Sequence, residues 1–218
     1  MALIHNTNSI VTSGLVLALD AANTKSYPGS GTTWRDLSGN GNNGTLVNSP
    51  TYSSANGGSL VFNGSSQYVN SPLTKAATCT FSCWASSTNV SNNPMLFNAG
   101  PNGSGPDLYF NSGYVTWNIW DTGNNFALIP ASANDGKFHH YVVINNASLG
   151  ASLYYDGNLL GTATYRDASG NTNLTIGGNT TTFMWNGNIS NFTVHNRALS
   201  AAEVTQNYNA LKSRYVLT

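Results

Sequence analysis

Between Thr45 and Ile176 short apolar stretches return about every ten residues, and Asn-Gly, Gly-Gly, Ser-Ser or Pro closes each one. A chain with this rhythm has no room for helices between its strands, so a parallel α/β sheet is excluded and an antiparallel β-sandwich or jelly roll is required. Strands are expected near 45–48, 59–63, 67–71, 78–86, 94–98, 107–111, 113–120, 125–129, 137–146, 151–156, 159–165 and 172–176. An earlier compact apolar run, Gly14–Asp20, reads as the first strand. Asp156-Gly157, between SLYY and NLLGT, is the sharpest hairpin signal, because a type I′ turn needs positive φ at both central residues. No repeat of constant period is evident.

The rhythm ends in WNGNISNFTVHNRALSAAEVTQNYNAL, from Trp185 to Leu211. Phe192 and Val194 alternate with Thr193 and His195 as in a half-buried strand. Ile189 is out of phase with them, so a bulge near Ser190–Asn191 is needed to keep all three on one face. Ser200 and Glu203 have the spacing of a capping box, and the single helix that follows places Ala201, Val204, Tyr208 and Leu211 together. So short a helix is marginal alone and must rest on an apolar surface. Between the first strand and Thr45 runs a turn-rich loop whose large anchors are Tyr27, Trp34 and Leu37. Residues 1–13 read as an N-terminal arm or edge strand, and 14–218 as one domain.

Of the 218 residues only 7% are charged, and eight Lys/Arg balance eight Asp/Glu. The surface must therefore be neutral and hydrogen-bonding, built from Asn, Ser, Thr and Gly. No basic patch suits nucleic acid, and no apolar run reaches membrane-spanning length. The N-terminal residues show neither a basic region nor a long apolar core, and are expected to contain no secretory leader. Nine Asn-x-Ser/Thr sequons are attributed to the abundance of Asn, since several fall inside expected strands. Cys79 and Cys83, four residues apart on one strand, are roughly 13 Å apart, too far for a disulfide; they read as small core residues.

The segments WRDLSGNGNNGTL, GGSLVFNGSSQYV, CTFSCWAS, DGKFHHYVVINN, SLYYDGNLLGT, LTIGGN and WNGNISNFTVHNRALSAAEV occur in that order. Together they resemble the laminin-G-like, concanavalin A-like jelly-roll superfamily, over about Gly14 to Leu211. The resemblance implies an all-β fold of two antiparallel sheets with six or seven strands each, one concave, and a short C-terminal helix near the sandwich edge. It is also similar to free-standing versions of the fold among tailed-bacteriophage virion proteins.

Glycosidases on such a scaffold need paired carboxylates. The chain has one glutamate, Glu203, already assigned to the helix cap, while Asp107, Asp121, Asp135, Asp156 and Asp167 stand apart near strand ends or turns. His139, His140 and Tyr141 form the one cluster suited to lyase chemistry, but alternation sends His140 to the opposite face from the other two, where it reads as a core histidine. Calcium, seen in some relatives at the rim of the sandwich, could draw on Asp36, Asn40, Asn42 and Asn43; with one carboxylate this loop reads rather as a stack of Asx turns, and no metal or other cofactor is assigned. In GYVTWNIWD, Val115, Trp117 and Ile119 face one way and Tyr114, Thr116, Asn118 and Trp120 the other. Tyr114, Asn118 and Trp120, with Trp84 as an added member, form a candidate aromatic platform for a sugar; packing beneath loops or at a subunit contact is the alternative.

The expectation is a non-enzymatic virion surface protein, a decoration or cement protein of a phage capsid, partnered by other virion proteins and by copies of itself. A carbohydrate-binding lectin or tail adhesin is the alternative, with cell-surface glycans as partners, and a glycoside hydrolase comes last.

Overall fold

A computed structural model describes residues 9–89, 93–100, 106–111, 114–119, 124–127, 131–163, 172–179 and 182–215. All pairings are antiparallel, in two eight-stranded sheets. The first sheet holds β1 (Leu15–Asp20), β4 (Thr51–Ser53), β5 (Ser59–Asn63), β7 (Cys79–Ser86), β12 (His139–Asn146), β13 (Gly150–Tyr155), β14 (Asn158–Ala163) and β16 (Asn186–His195). Its order is β14-β13-β12-β7-β16-β5-β4, and β1 pairs with the second half of β16. The second holds β2 (Thr33–Trp34), β3 (Gly44–Val47), β6 (Tyr68–Thr74), β8 (Met95–Asn98), β9 (Pro106–Asn111), β10 (Tyr114–Ile119), β11 (Asn124–Ala127) and β15 (Thr172–Ile176), in the order β11-β10-β9-β8-β15-β6-β3-β2. The expected strands are all present, but each sheet exceeds the six or seven strands that the resemblance implies. The short β2 and β4, which carry too few residues for a visible alternation, were not expected.

The main core lies between the sheets, where Leu17, Leu19, Phe62, Phe81, Phe97, Trp185, Ile189 and Phe192 are buried together. The register of β16 against β7 slips between Ile189 and Asn191, the bulge that the spacing of Ile189, Phe192 and Val194 requires. Its extra residue, Ser190, is put to use: its hydroxyl donates to Gly58 O at 2.6 Å and accepts from the Tyr215 hydroxyl at 2.8 Å. Cys79 and Cys83 are free thiols in the same core, as expected, and burial pushes the Cys79 thiol up to about 12.

A third layer covers the outer face of the first sheet. Every residue of β7 is buried, because the face opposite the main core lies beneath α1 (Ala201–Leu211) rather than in water. Trp84 is the centre of this layer. Its ring stacks on Tyr215 at 4.4 Å, His140 at 5.1 Å and Tyr208 at 5.5 Å between centroids, and Tyr215 stacks in turn on Phe138. Beside it, Val142, Ile144 and Tyr154 meet Val204, Leu199 and Val11. The helix thus lies on the sheet face, not near the sandwich edge. Its capping box is formed, and the Arg197 guanidinium beside Glu203 holds that carboxyl down to about 2. The docking face is Val204, Asn207 and Leu211, with Tyr208 half-buried and Ala201 exposed; the expected stripe is rotated because Asn207 turns inward to accept from Val11 N at 2.7 Å. That bond, with Gln206 donating to Ser9 O and Arg197 to Ser13 O, holds residues 9–13 against the domain's own helix. Residues 9–13 form no strand, and residues 1–8 of the expected arm or edge strand lie outside the described residues.

The loop from Ala21 to Asn43 covers an edge. Asp36 accepts from Ala18 N, Ser38 N, the Ser38 hydroxyl and Asn42 N at 2.8–3.0 Å. Asn40 donates to Leu15 O and Asn42 to Val16 O, so side chains complete the bonding of β1 where a neighbouring strand would otherwise lie. Tyr27 and Trp34 are buried, as expected of anchors, whereas Leu37 is 40% exposed and is held by its backbone donating to Ala18 O.

The Asp156-Gly157 turn has φ of 48° and 80°, the predicted type I′ pattern. Gly157 also lies under the Tyr208 ring, 3.2 Å from where a Cβ would sit. Asp156 accepts from His140 N and holds His139 Nδ1, both at 2.8 Å, while Asp135 holds His139 Nε2 at 3.1 Å. The neighbours therefore titrate in opposite senses. Burial opposes charge on His139, but the Asp156 and Asp135 carboxylates outweigh it and raise its pKa; burial alone lowers that of His140, to about 3.

Trp84→Ala is expected to cost about 3–5 kcal/mol, the range for removal of a buried aromatic ring, and Tyr208→Ala roughly half as much because its ring is half-buried; denaturant unfolding measures both. His139 contributes stability fully present below about pH 6.5 and lost as pH rises through its raised folded value. The stability difference between wild type and His139→Gln should therefore be largest on the acid side of neutrality and shrink in alkali, while a His140→Gln comparison runs the other way; urea titrations across pH 5–9 check both signs.

Candidate functional site

The outer face of the second sheet carries no helix among the described residues, and its cross-strand register lines up one class of side chain. Thr33 pairs with Thr45, Thr45 with Asn70, Asn70 with Thr175, Thr175 with Asn98, Asn98 with Asp107, Asp107 with Asn118 and Asn118 with Asn125. Residues directly opposite one another share a face, so the six from Thr33 to Asp107 form a single polar row, and Asn118 and Asn125 hold the next two register positions. The adjacent row, including Leu46, Val69, Ile176, Phe97 and Leu108, fills the main core, which fixes the polar row on the outside. Strand alternation dictates this outcome once the register is set.

The row changes character along its length. Thr33, Thr45 and Asn70 are exposed, whereas Thr175, Asn98 and Asp107 are 6%, 1% and 0% exposed. Thr175 donates to Gly178 O at 2.7 Å, and Asn98 accepts from Gly100 N at 3.2 Å. An open amide and hydroxyl surface thus runs into a buried polar centre, with Asp107 as the one ionisable side chain in the row. Neutral donors and acceptors at the spacing of adjacent strands match a ligand with many hydroxyls and no charge.

The expected platform is placed in part. Tyr114 and Asn118 belong to β10, at the register positions opposite Asn111 and Asp107 of β9. Trp120 lies outside the described residues. Trp84 does not join them: it is in the other sheet, 1% exposed beneath α1, because its outward position there points into the helix layer. Asn70, Asn98, Thr175, Thr45 and Thr33 were not singled out in the sequence. Each stands at a polar, out-of-phase position of its strand, but only the pairing of strands distant in the chain brings them together.

The carboxylates described elsewhere are engaged. Asp20 pairs with Arg214, Glu203 with Arg197, Asp36 is surrounded by donors, and Asp135 and Asp156 share His139. Asp121 and Asp167 lie outside the described residues. His139, His140 and Tyr141 do not converge: His140 bonds Ser82 at 2.7 Å under the helix and Tyr141 donates to Ala133 O in the main core. Among the described residues no three His, Cys, Asp or Glu side chains are grouped to hold a metal ion, and the donors around Asp36 leave its loop the Asx stack that its sequence suggests.

No curated protein matches the chain by sequence. Among solved structures, the binding domain of Paraclostridial Mosquitocidal Protein 1 aligns at TM-score 0.72 and 16% identity, over 90% of this chain and 52% of that one. Botulinum neurotoxin type C, whose cell entry depends upon interaction with two ganglioside molecules, aligns at 0.68 and 16%, over 92% and 52%. A Trypanosoma rangeli sialidase in complex with the inhibitor DANA aligns at 0.69 and 18%, over 92% and 33%. The chain spans about half the length of the toxin domains and a third of the sialidase, and at these identities the likeness is one of fold. The family model for the concanavalin A-like lectin/glucanases superfamily, Laminin_G_3, matches residues 62–205, most of the strands of both sheets, and the chain belongs to that family.

Proposed function

We propose that the protein is a non-catalytic carbohydrate-binding module that receives a neutral glycan on the outer face of its second sheet. The observation that carries this is the exposed polar run of Thr33, Thr45 and Asn70, in register on the outer face of the second sheet and continuous with the buried Thr175, Asn98 and Asp107. Amides and hydroxyls in register exchange hydrogen bonds with successive sugar hydroxyls, and the neutral strip imposes no charge requirement. The engagement of Asp20, Asp36, Asp135, Asp156 and Glu203 with other partners supports binding without bond cleavage. The ganglioside dependence of the type C neurotoxin belongs to a protein twice as long, and adds the precedent of a glycan-dependent relative in fold.

The near absence of charge favours a setting as well. With eight positive and eight negative side chains among 218, many copies can crowd without mutual repulsion, as on the surface of a phage particle. In this setting the module is a decoration protein of the capsid or an adhesin of the tail. Mass spectrometry of purified particles tests it: copy number proportional to the capsid lattice indicates decoration, a few copies at the tail indicate an adhesin, and absence rejects both.

On a glycan array the protein is expected to retain neutral oligosaccharides, and Asn70→Ala or Thr45→Ala should each weaken the selected glycan by about fivefold, the loss of a ligand hydrogen bond worth roughly 1 kcal/mol, with little change in melting temperature. Binding unaffected by both substitutions, or none at all to the array, would reject the assignment.

A further inference from the structure

At one end of the sandwich a cavity of about 450 Å³ lies between β1, β6, the end of β16 and the Asp36–Asn43 loop. That volume suits a monosaccharide or disaccharide. Its apolar lining is Val16, Leu73 and Val194, where the main core reaches the surface. Its polar lining includes Asn40 and Asn42, whose Nδ2 groups are already committed to Leu15 O and Val16 O. The two Oδ1 atoms are therefore the free ends of these amides, acceptors that hydroxyl hydrogens can reach.

Lys75 decides the ligand class. It lines the cavity, is half-buried, and among the described residues pairs with no carboxylate; the ion pairs described belong to Arg197, Arg214 and His139. No acidic side chain lines the cavity, since the nearby Asp36 turns its oxygens to the loop's own N–H donors. An ammonium partly withdrawn from water without a counter-ion favours an anionic group, and a half-apolar wall flanked by amide oxygens favours a hydroxylated ring attached to it. No Phe, Tyr or Trp side chain lines the cavity, and the His195 imidazole at its wall is buried and bonded through Nε2 to Val11 O.

We propose that this end cavity is a second ligand site, selective for an acidic sugar whose carboxylate or sulfate pairs with Lys75. It differs from the polar row in charge, and its lining on β6 begins at Pro72, two residues beyond Asn70. An acidic residue within a longer glycan and a free acidic sugar carry the same chemistry.

Titration of the full chain followed by amide NMR is the test, with glucuronate, glucose 6-sulfate, glucose and inorganic sulfate as probes. Glucuronate or glucose 6-sulfate should bind about tenfold or more tightly than glucose, as a charge-assisted hydrogen bond implies, and should shift the amides of Val16, Leu73–Ala76 and Val194–Asn196. Lys75→Met should remove that preference while Lys75→Arg keeps it; the unshifted amides elsewhere in each variant report that the domain is folded. A covalently linked glucuronate at a glycan terminus binding as tightly as the free sugar supports the glycan source, and tighter binding of the free sugar supports the soluble one. Glucose binding as tightly as the acidic sugars, shifts confined to other regions, or Lys75→Met binding unchanged would overturn the site. Inorganic sulfate binding as tightly as glucose 6-sulfate would overturn its selectivity for a sugar.

Discussion

A tryptophan on the outer face of a sheet must be covered, and the stack that covers Trp84 sets the terms for the rest of the molecule. It gives a helix too short to stand alone its apolar support, draws the chain from Lys212 to Tyr215 back over the sheet, and so brings the Tyr215 hydroxyl to the bulge at Ser190. The central strands β7 and β12 of the first sheet are thereby buried on both faces. The second sheet carries no helix among the described residues, and its outer face is exposed at Thr33, Thr45 and Asn70 but buried at Thr175, Asn98 and Asp107.

The same arrangement explains two adjacent histidines with opposite behaviour. His140 points into the aromatic layer, where burial outweighs the pull of the nearby Asp156 carboxylate, and remains neutral. His139, one residue earlier, points to the rim, where Asp135 and Asp156 flank it. Alternation alone separates them by a strand's thickness, and this converts a repeated residue into two unlike groups.

Much of the architecture was legible because it is written locally. The strand rhythm, the Asp156-Gly157 turn, the Ser200–Glu203 box and the phase slip between Ile189 and Phe192 each depend on neighbours within a few residues. What escaped depends on distant partners. Asn207 reads as a polar helix position until Val11 is placed beside it, and Leu37 reads as an anchor until its loop is seen to lie along an edge. Trp84 alternates out of phase with Phe81 and Cys83, but what its outward position meets depends on the helix that docks there. The polar row is the extreme case: its members come from strands between Thr33 and Thr175, and no stretch of sequence contains more than a fragment of it.

The pairing of β1 with β16 has a consequence for the making of the protein. Leu17 meets Val194 and Leu19 meets Phe192, so a strand that leaves the ribosome early finds its partner only when nearly the whole chain has followed. Trp84 and Val142 likewise wait for Tyr208 and Val204. Until then the nascent chain exposes an unpaired strand edge and an aromatic patch, both of which invite association with other chains. Contacts of such long sequence separation also slow folding. Chaperone occupancy during synthesis should consequently persist until the last segment emerges, and a ribosome stalled before Ala201 would hold an intermediate prone to aggregation.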